Sequence, residues 1–354
     1  MLKFCQKQIF IPSILKISDN EIGNTGKYLK EEGFNHAAIF FSEGIEDLFG
    51  EKLHNSLAAA GVKAVHTDII SNIDIENIVH NAFKIPKSAD VLVGIGGGKA
   101  LDYAKYCAHV LALPFISIPT SVSNDGFCSP NSSLLVEGRR QSITAKIPYG
   151  VIVDIDALKT SPEFGIYSGI GDLISKITAG YDWKLAARVA GERFNDFAHI
   201  IANNSVSDIL HYKGYGIRNP EFLFHLANSL LMSGISMEIA GVSRPASGSE
   251  HLISHALDKI AKSPAMHGIQ VGVATYVCSY VQQNRLEVVK DFLESTGFLD
   301  FVAQKPLDKE DFLTAIEIAP TIKEDFYTVL SEKRNIERAK EFVHSDEICK
   351  RIFE

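Results

Sequence analysis

The stretch Asp90-Val91-Leu92-Val93-Gly94-Ile95-Gly96-Gly97-Gly98-Lys99-Ala100-Leu101-Asp102 decides the fold class. It begins with a continuous apolar run, which is typical of a strand buried on both faces. Glycines follow, and the residues from Lys99 to Leu111 have helical character. A buried strand that passes through glycines into a helix predicts one strand–helix unit of a parallel α/β sheet.

Apolar runs and helical segments alternate on both sides of this stretch. We expect strands at 36–41, 62–66, 90–94 and 114–118, helices from about 42 to 60, at 72–84 and at 99–111, and two further strand-like runs at 133–136 and 150–154. The segment 160–165 has the composition of a linker, and helical periodicity dominates after it. The sequence therefore predicts an α/β domain over residues 1–160 and an all-α domain over residues 161–354.

Composition excludes several classes of protein. The 354 residues are 46% hydrophobic and 22% charged, which suits a chain that buries a sizeable core. The net charge of -8, without any basic stripe, argues against nucleic-acid binding. Five scattered cysteines without a C-x-x-C pair indicate a reducing compartment. Met1–Lys7 lacks the apolar core of a signal peptide and no uncharged apolar run approaches about 18 residues, so we expect a cytoplasmic protein without a membrane span.

The glycines at 94–98 have the placement of a phosphate-binding loop. Glycine lets the backbone approach a pyrophosphate, and the N-terminus of the following helix favours its negative charge. The spacing is not G-x-G-x-x-G, because Lys99 stands where the last Gly would be, and it is not a Walker loop. A tight turn without a ligand is the alternative. Asp102 falls in the first turn of the helix, where a carboxylate interacts favourably with the helix dipole whether or not a ligand binds.

The segment Ile118-Pro119-Thr120-Ser121-Val122-Ser123-Asn124-Asp125-Gly126 follows the next predicted strand. It lies at the carboxyl edge of the sheet, where open α/β sheets bind ligands. Hydroxyl groups at 120, 121 and 123 suit a phosphate or a nicotinamide, and Asp125 suits a substrate hydroxyl. A solvated polar loop explains the composition equally well.

Three segments of the second half contain metal-ligating residue types on predicted helices. They are Gly169–Lys176 with Asp172, Gly248–His255 with His251 and His255, and Met266–Gly272 with His267. An Asp with two His residues suits zinc, iron or nickel and leaves a position open for a substrate oxygen. Each residue alone has a simpler explanation, namely a helix N-cap, an interior histidine or a first-turn residue. An i,i+4 pair of His251 and His255 without Asp172 is a further alternative, and order along the chain does not establish convergence.

Taken together, these segments resemble the iron-containing alcohol dehydrogenase superfamily, and most closely its sn-glycerol-1-phosphate dehydrogenase branch. The likeness is carried by G-G-G-K-A-L-D at 96–102, P-T-S-V-S-N-D-G at 119–126, G-D-L-I-S-K at 171–176, G-S-E-H-L-I-S-H at 248–255 and H-G-I-Q-V-G at 267–272. The resemblance implies a Rossmann-like dinucleotide-binding domain and an all-α domain in a dehydroquinate-synthase-like architecture, with the active site in the cleft between them.

The resemblance also implies roles for individual residues. The metal ligands would be Asp172, His251 and His267. The cofactor would contact the loop and its surroundings, at Gly96, Gly97, Gly98, Lys99, Asp102, Thr120 and Ser123. Asp125 would face the substrate's hydroxyls, and His255 would lie near the cofactor or the substrate.

The implied reaction interconverts dihydroxyacetone phosphate and sn-glycerol 1-phosphate with NAD or NADP and one divalent metal ion. Many superfamily members have a fourth ligand, His, where this chain has Lys176, so zinc or nickel is favoured over iron. Related enzymes usually have His where this chain has Asn124, which weakens a proton-relay role there. The alternatives are a glycerol dehydrogenase acting on the unphosphorylated polyol, a dehydroquinate-synthase-like lyase, and a non-catalytic metal- or nucleotide-binding protein.

Hydride would pass from the reduced nicotinamide to a carbonyl polarised by the metal. The proton would come from metal-bound water or from a relay that includes His255. Lys176 is a candidate phosphate donor, with a surface lysine or one that merely neutralises the helix dipole as the alternative. Glu43, after the second predicted strand, favours NAD, although Ser42 alone would tolerate the phosphate of NADP. The likeness also implies a homo-oligomer.

Overall fold

This computed structural model describes residues 8–212 and 215–354. The expectation about a signal peptide concerns Met1–Lys7 and, like Cys5, lies outside the described residues. The other four cysteines are buried, and none of them forms a disulfide within the described part of the chain.

The chain folds into two compact units. The first, here called the α/β unit, contains the described residues up to Pro119 together with Gly126–Asp154 and Met237–Gly241. The second, the helical unit, contains Thr120–Asp125, Ile155–Ser236 and Val242–Glu354.

The α/β unit is built on a six-stranded sheet. Its strands are β1 (Ile14–Ser18), β2 (His36–Ser42), β3 (Lys63–Ile70), β4 (Val91–Gly96), β5 (Phe115–Pro119) and β8 (Gly150–Asp154). They lie in the order β1-β8-β5-β4-β2-β3, and every strand pair is parallel. The helices between them are α1 (Thr25–Glu31), α2 (Ile45–Ala59), α3 (Ile75–Ala82) and α4 (Gly98–Leu111). The parallel sheet with its alternating helices confirms the predicted fold class.

The register of the sheet sets where its ligand-facing edge lies. Strands β4, β5 and β8 are buried along their whole length, as their continuous apolar sequences predict. Phe41 of β2 pairs with Ile95 of β4, and Gly96 pairs with Pro119 of β5. The carboxyl ends of three neighbouring strands therefore meet at one edge, where the glycine loop leaves the sheet.

The strand-like run at 133–136 does not join this sheet. It is part of β6 (Asn131–Val136), which pairs antiparallel with β7 (Arg139–Thr144) in a separate two-stranded sheet. The segment 160–165, whose composition predicts a linker, is mostly helical. One helix ends at Thr160 and the next begins at Glu163, so that only Ser161 and Pro162 lie between them.

The helical unit contains the remaining helices. They are α5 (Ile155–Thr160), α6 (Glu163–Ile174), α7 (Lys176–Val189), α8 (Asp196–Ile209), α9 (Pro220–Ala240, whose last residues group with the α/β unit), α10 (Ser249–Ile260), α11 (His267–Gln282), α12 (Leu286–Ser295), α13 (Phe298–Ala303), α14 (Lys309–Ile318), α15 (Lys333–Ser345) and α16 (Glu347–Ile352).

Glycines hold α6 and α11 unusually close together. A Cβ atom on Gly171 would lie 2.0 Å from the carbonyl oxygen of Gly268, and one on Gly268 would lie 1.9 Å from that of Ser168. Only glycine fits at these positions, because any side chain would force the two helices apart. This approach sets the distance between the last turn of α6 and the first residue of α11.

Among the described helices, α9 alone is long and apolar enough to cross a membrane. Its most apolar window is 67% buried inside the protein, which is the behaviour of a core helix.

Candidate metal centre and nucleotide loop

Asp172, His251 and His267 converge within the helical unit from α6, α10 and α11. One ligand atom from each lies within 4.8 Å of the other two. Oδ1 of Asp172 lies 3.4 Å from Nε2 of His251 and 4.0 Å from Nε2 of His267. Ligand atoms about 2.0–2.1 Å from a tetrahedral zinc ion are about 3.3–3.4 Å apart. The first distance matches that spacing, and the second needs to shorten by about 0.6–0.7 Å for the donor set to hold a zinc-sized ion.

The two imidazoles present the same nitrogen to Asp172 because neighbouring groups fix their other nitrogen. Nδ1 of His251 donates to Oε1 of Glu250 at 2.9 Å. Nδ1 of His267 lies 3.0 Å from the hydroxyl of Ser254. That hydroxyl uses its only proton on Gln270, so it accepts from His267. Both histidines therefore direct Nε2 at the carboxylate, which is the orientation that metal-ligating histidines need.

Glu250 is a fully buried carboxylate that the sequence patterns did not single out. Its Oε1 accepts from the main-chain N–H of Gly248 at 2.6 Å as well as from His251, and its Oε2 accepts from the hydroxyl of Thr178 at 2.8 Å. Every contact is with a donor, so the side chain is held in one orientation against the ring of His251. The only signal in the sequence was its position directly before that histidine.

Opposing effects set the pKa values of the two histidines. Burial alone would lower the pKa of His251, but its hydrogen bonds to Asp172 and Glu250 raise it to about 9. Burial, followed by the charge of His251, lowers the pKa of His267 well below its usual value. In the metal-free protein His251 therefore carries a proton that a metal ion would displace, and His267 does not.

The two oxygens of Asp172 have different partners. Oδ1 faces the histidines, whereas Oδ2 accepts from the main-chain N–H of Asp125 at 3.0 Å and lies 3.3 Å from the ammonium of Lys176. Burial alone would raise the pKa of Asp172, but Lys176 and His251 outweigh it and hold the pKa below its usual range. The carboxylate is thus ionised and oriented for ligation through Oδ1.

Lys176 does not have the position that a phosphate donor needs. Its side chain is 0% exposed. Its ammonium donates to the main-chain oxygen of Asp172 at 2.8 Å and lies 3.1 Å from Oδ2 of Asp125. Burial alone would lower its pKa, but the carboxylates of Asp125 and Asp172 raise it. The candidate role in phosphate binding gains no support from this position, because the buried ammonium lies against the carboxylates of Asp125 and Asp172.

Asp125 contacts this buried cluster. Its Oδ2 accepts from the hydroxyl of Ser233 at 2.7 Å in addition to the contact with Lys176. Burial raises the pKa of Asp125 while Lys176 lowers it, with burial the larger effect. The structure thus brings this residue of the 120–125 segment against the Asp172 carboxylate.

His255 lies one turn after His251 on α10 and is exposed. Its ring stacks on that of His267 with the centroids 5.8 Å apart. With Asp258 and His267 it forms a second group of closely spaced ligand atoms. The two groups share His267, whose Nε2 faces Asp172, so His255 stands beside the three-residue centre and not within it.

The glycine loop is shaped by Ser42 at the end of β2. Gly96 has a φ of +141°, and a Cβ atom there would lie 2.1 Å from Oγ of Ser42. That oxygen accepts from the N–H of Gly97 at 3.0 Å. A Cβ on Gly97 or Gly98 would meet nothing within 4 Å, so open space adjoins the backbone at the N-terminus of α4. This is the arrangement that a phosphate needs at a helix N-terminus.

The remaining cofactor candidates have different surroundings. Lys99 is exposed in the first turn of α4. Asp102 is paired with Lys105 at 3.3 Å, and burial raises its pKa. Thr120 is buried, and the main-chain oxygen of Ser123 accepts from the hydroxyl of Ser168 at 2.8 Å. Lys99 and Asp102 thus lie in the α/β unit with the glycines, whereas Thr120 and Ser123 belong to the helical unit.

Known proteins resemble this chain along most of its length. The sequence profile of the family described as iron-containing alcohol dehydrogenase matches residues 16–162. Glycerol-1-phosphate dehydrogenase (NAD(P)+) of Methanosarcina barkeri is 35% identical over 280 residues, which is 78% of each chain. The enzyme of the same name from Thermococcus sibiricus is 40% identical over 212 residues, 60% of this chain and 61% of its own length.

Solved structures share the fold. The crystal structure of glycerol dehydrogenase from Schizosaccharomyces pombe superposes with a TM-score of 0.78 at 20% identity, covering 98% of this chain and 91% of that one. At that identity the likeness supports the architecture alone.

Proposed function

The chain belongs to the iron-containing alcohol dehydrogenase family, and from this premise we propose that it interconverts dihydroxyacetone phosphate and sn-glycerol 1-phosphate with NAD(P) and one divalent metal ion. The curated relatives at 30–40% identity carry the name glycerol-1-phosphate dehydrogenase. The single observation that carries the proposal is the convergence of Asp172, His251 and His267 from three helices onto one point, with their ligand atoms within 4.8 Å of one another.

We assign the cofactor and the metal to different parts of the chain. The α/β unit would bind the pyrophosphate of the dinucleotide at Gly96, Gly97 and Gly98, where the N-terminus of α4 adjoins open space. Lys99, Asp102, Thr120 and Ser123 are the further cofactor contacts of this proposal. The helical unit would hold zinc or nickel, because one carboxylate and two imidazoles suit these ions.

The chain's own residues have distinct parts in the proposed reaction. Asp172, His251 and His267 would hold the ion, which would supply Lewis-acid polarisation of the substrate carbonyl. Glu250 and Ser254 keep the two imidazoles turned so that Nε2 points inward. A bound reduced nicotinamide would supply the hydride that the carbonyl carbon gains.

Two further residues would handle the substrate. Asp125 would accept a hydrogen bond from the hydroxyl beside the carbonyl, because Lys176 and Ser233 fix its carboxylate in place. His255 would deliver the proton that the carbonyl oxygen gains, since it is exposed and stacks on a ligand histidine. Exchange of His255 for Asn should lower kcat far more than KM.

We extend the proposal to three finer points. Glu43, exposed directly after β2, favours NAD over NADP because a carboxylate there repels a ribose 2′-phosphate. Four buried thiols accord with a cytoplasmic location. The family likeness points to a homo-oligomer, which light scattering on the purified protein tests.

The test is a comparison of two ketones. Metal-free protein is loaded with zinc or nickel, and the oxidation of NADH and of NADPH is followed with dihydroxyacetone phosphate beside dihydroxyacetone. We expect the phosphorylated ketone to have a kcat/KM at least about a hundredfold higher, and the product to be the sn-1 enantiomer. Equal or better turnover of the bare ketone would contradict the assignment in favour of a glycerol dehydrogenase.

A further inference from the structure

A buried lysine contacts both carboxylates of the metal centre. The ammonium of Lys176 lies 3.1 Å from Oδ2 of Asp125 and 3.3 Å from Oδ2 of Asp172, and its side chain is 0% exposed. It also donates to the main-chain oxygen of Asp172 at 2.8 Å. Neither the phosphate of a substrate nor solvent is needed to account for these contacts. The charge therefore acts within the centre.

Lys176 gives the two oxygens of the Asp172 carboxylate different partners. Oδ2 is occupied by Lys176 and by the main-chain N–H of Asp125, whereas Oδ1 alone faces the two imidazoles. A carboxylate held in this way ligates through one oxygen. Without the ammonium, Oδ2 of Asp172 would keep only the main-chain N–H of Asp125, and the carboxylates of Asp125 and Asp172 would lie close together without a counter-charge.

The charge balance gives the lysine a second effect. Among the groups that Lys176 contacts, two carboxylates and one ammonium leave a single negative charge, in addition to the carboxylate of Glu250 at Nδ1 of His251. A divalent cation is attracted less strongly to one net negative charge than to two, and the difference is large where water is excluded. The ammonium of Lys176 therefore holds the ligand carboxylate in position and also lowers the affinity of the site for the metal ion.

We propose that Lys176 is a positioning residue whose ammonium is the fixed counter-charge of Asp125 and Asp172, so that the metal-free centre keeps its ligand geometry and the ion binds with moderated affinity. This inference rests on the proposed metal site at Asp172. It accounts for a buried cation within contact of a ligand carboxylate.

Zinc affinity and thermal stability test the inference without reference to turnover. The variants are Lys176→Met, which keeps the apolar stem and removes the charge, and Asp125→Asn, which removes one carboxylate and keeps the contacts with Ser233 and Lys176. Zinc is titrated at pH 8 against a chelating dye of known affinity. We expect Lys176→Met to lower the Kd for zinc at least about tenfold, to lower the Tm of the metal-free protein and to gain more Tm from zinc than the wild type.

The second variant has the opposite expected sign. Asp125→Asn removes one negative charge beside the ligands, so its Kd for zinc should rise at least about tenfold. The double variant removes one charge of each sign and should return the Kd to within about threefold of the wild-type value. Asp125→Asn decides the question by itself if Lys176→Met does not fold without metal.

Lys105 offers a matched control. It is also a buried lysine paired with a carboxylate, at 3.3 Å from Asp102, but it belongs to the α/β unit. Lys105→Met should lower the Tm and leave the Kd for zinc unchanged. An unchanged or raised Kd in Lys176→Met, or an unchanged Kd in Asp125→Asn, would overturn the inference. Wild-type protein that binds no stoichiometric zinc would instead overturn the metal site, and with it the proposed function.

Discussion

Replacement of Glu250 by Gln isolates the charge behind a metal-ligating histidine. Oε1 of Glu250 accepts from Gly248 and His251, and Oε2 accepts from the hydroxyl of Thr178. A Gln side chain can keep its oxygen at the first position and donate its amide to the Thr178 hydroxyl, which then donates to the main-chain oxygen of Ser175, 2.9 Å away. All hydrogen bonds are retained, and only the negative charge is lost.

The size of the effect follows from the loss of that charge. Partners behind a ligand histidine typically contribute 10–100-fold to metal affinity. Because Glu250→Gln keeps the hydrogen bond to His251 and loses only its charge-assisted part, we expect the lower end, a Kd for zinc raised about tenfold, or about 1.4 kcal/mol. Glu250→Ala leaves the His251 Nδ1–H without its acceptor and should raise the Kd about a hundredfold. Titration of the metal-free variants against a chelating dye measures both values.

Asp182 provides the control for this prediction. It is a neighbouring buried carboxylate that accepts from the main-chain N–H groups of Ser249 and Val329 and contacts neither imidazole. Asp182→Asn should keep its zinc Kd within about twofold of the wild-type value. A Glu250→Gln protein that binds zinc as tightly as the wild type would refute the reasoning, since the carboxylate would then be a structural group alone.

Three further outcomes are expected. The pKa of His251 is raised to about 9, so zinc must displace one proton when it binds. The Kd of the protein for zinc should therefore fall about tenfold per pH unit from pH 6 to pH 8. A zinc Kd that does not change with pH in chelator titrations would contradict this. Burial and the charge of Glu250 raise the pKa of Asp182 to about 7. In the unfolded chain the Asp182 carboxyl loses its proton near pH 4. The contribution of Asp182 to the free energy of unfolding should therefore fall as pH rises from about 4 to about 7 and stay level above pH 7. The difference in free energy of unfolding between wild type and Asp182→Asn, measured with urea at each pH, tests this, and a difference that does not change with pH would contradict it. Gly96→Ala should raise the Kd for NADH at least about tenfold, because its Cβ would meet Ser42 at 2.1 Å; fluorescence titration checks this, with unchanged zinc affinity as the control.

The sequence predicted most of the parallel sheet because its inner strands are continuous apolar runs. Strand β1 was missed, since Ile14 is its only buried residue and Lys16 interrupts the apolar pattern. Its strand character comes from pairing with β8. Strand β7 was missed for a similar reason, because Arg139–Thr144 is polar and exposed and is a strand only through its pairing with β6.

The convergence of Asp172, His251 and His267 lay beyond the sequence, which separates them by as many as 95 positions. It depends on how closely α6 and α11 pack, and that depends on contacts of Gly171 and Gly268 that no local pattern reports. The resemblance to a known family implied that these three residues act together, and the structure shows that the helices bring them close to one another.

The surroundings of Lys176 depend on packing that periodicity cannot express. It follows Asp172 by four positions, across the turn between α6 and α7. Its ammonium lies against the carboxylate and the main-chain oxygen of Asp172 and also against Asp125, which a segment much earlier in the chain supplies. Glu250 was overlooked because a carboxylate beside a histidine is ordinary in sequence. Its role in orienting His251 becomes evident only from the structure, in which its oxygens accept hydrogen bonds from His251, Gly248 and Thr178.

The central claim is that one divalent ion at Asp172, His251 and His267 supports the reduction of dihydroxyacetone phosphate. Its most direct test is a titration of zinc or nickel into metal-free protein, with bound metal and NADH oxidation measured in the same samples. The account predicts a rate that rises in proportion to bound metal and saturates at one ion per chain, and Asp172→Asn protein that gains neither metal nor activity. Full activity in metal-free protein, or in Asp172→Asn without bound metal, would contradict it.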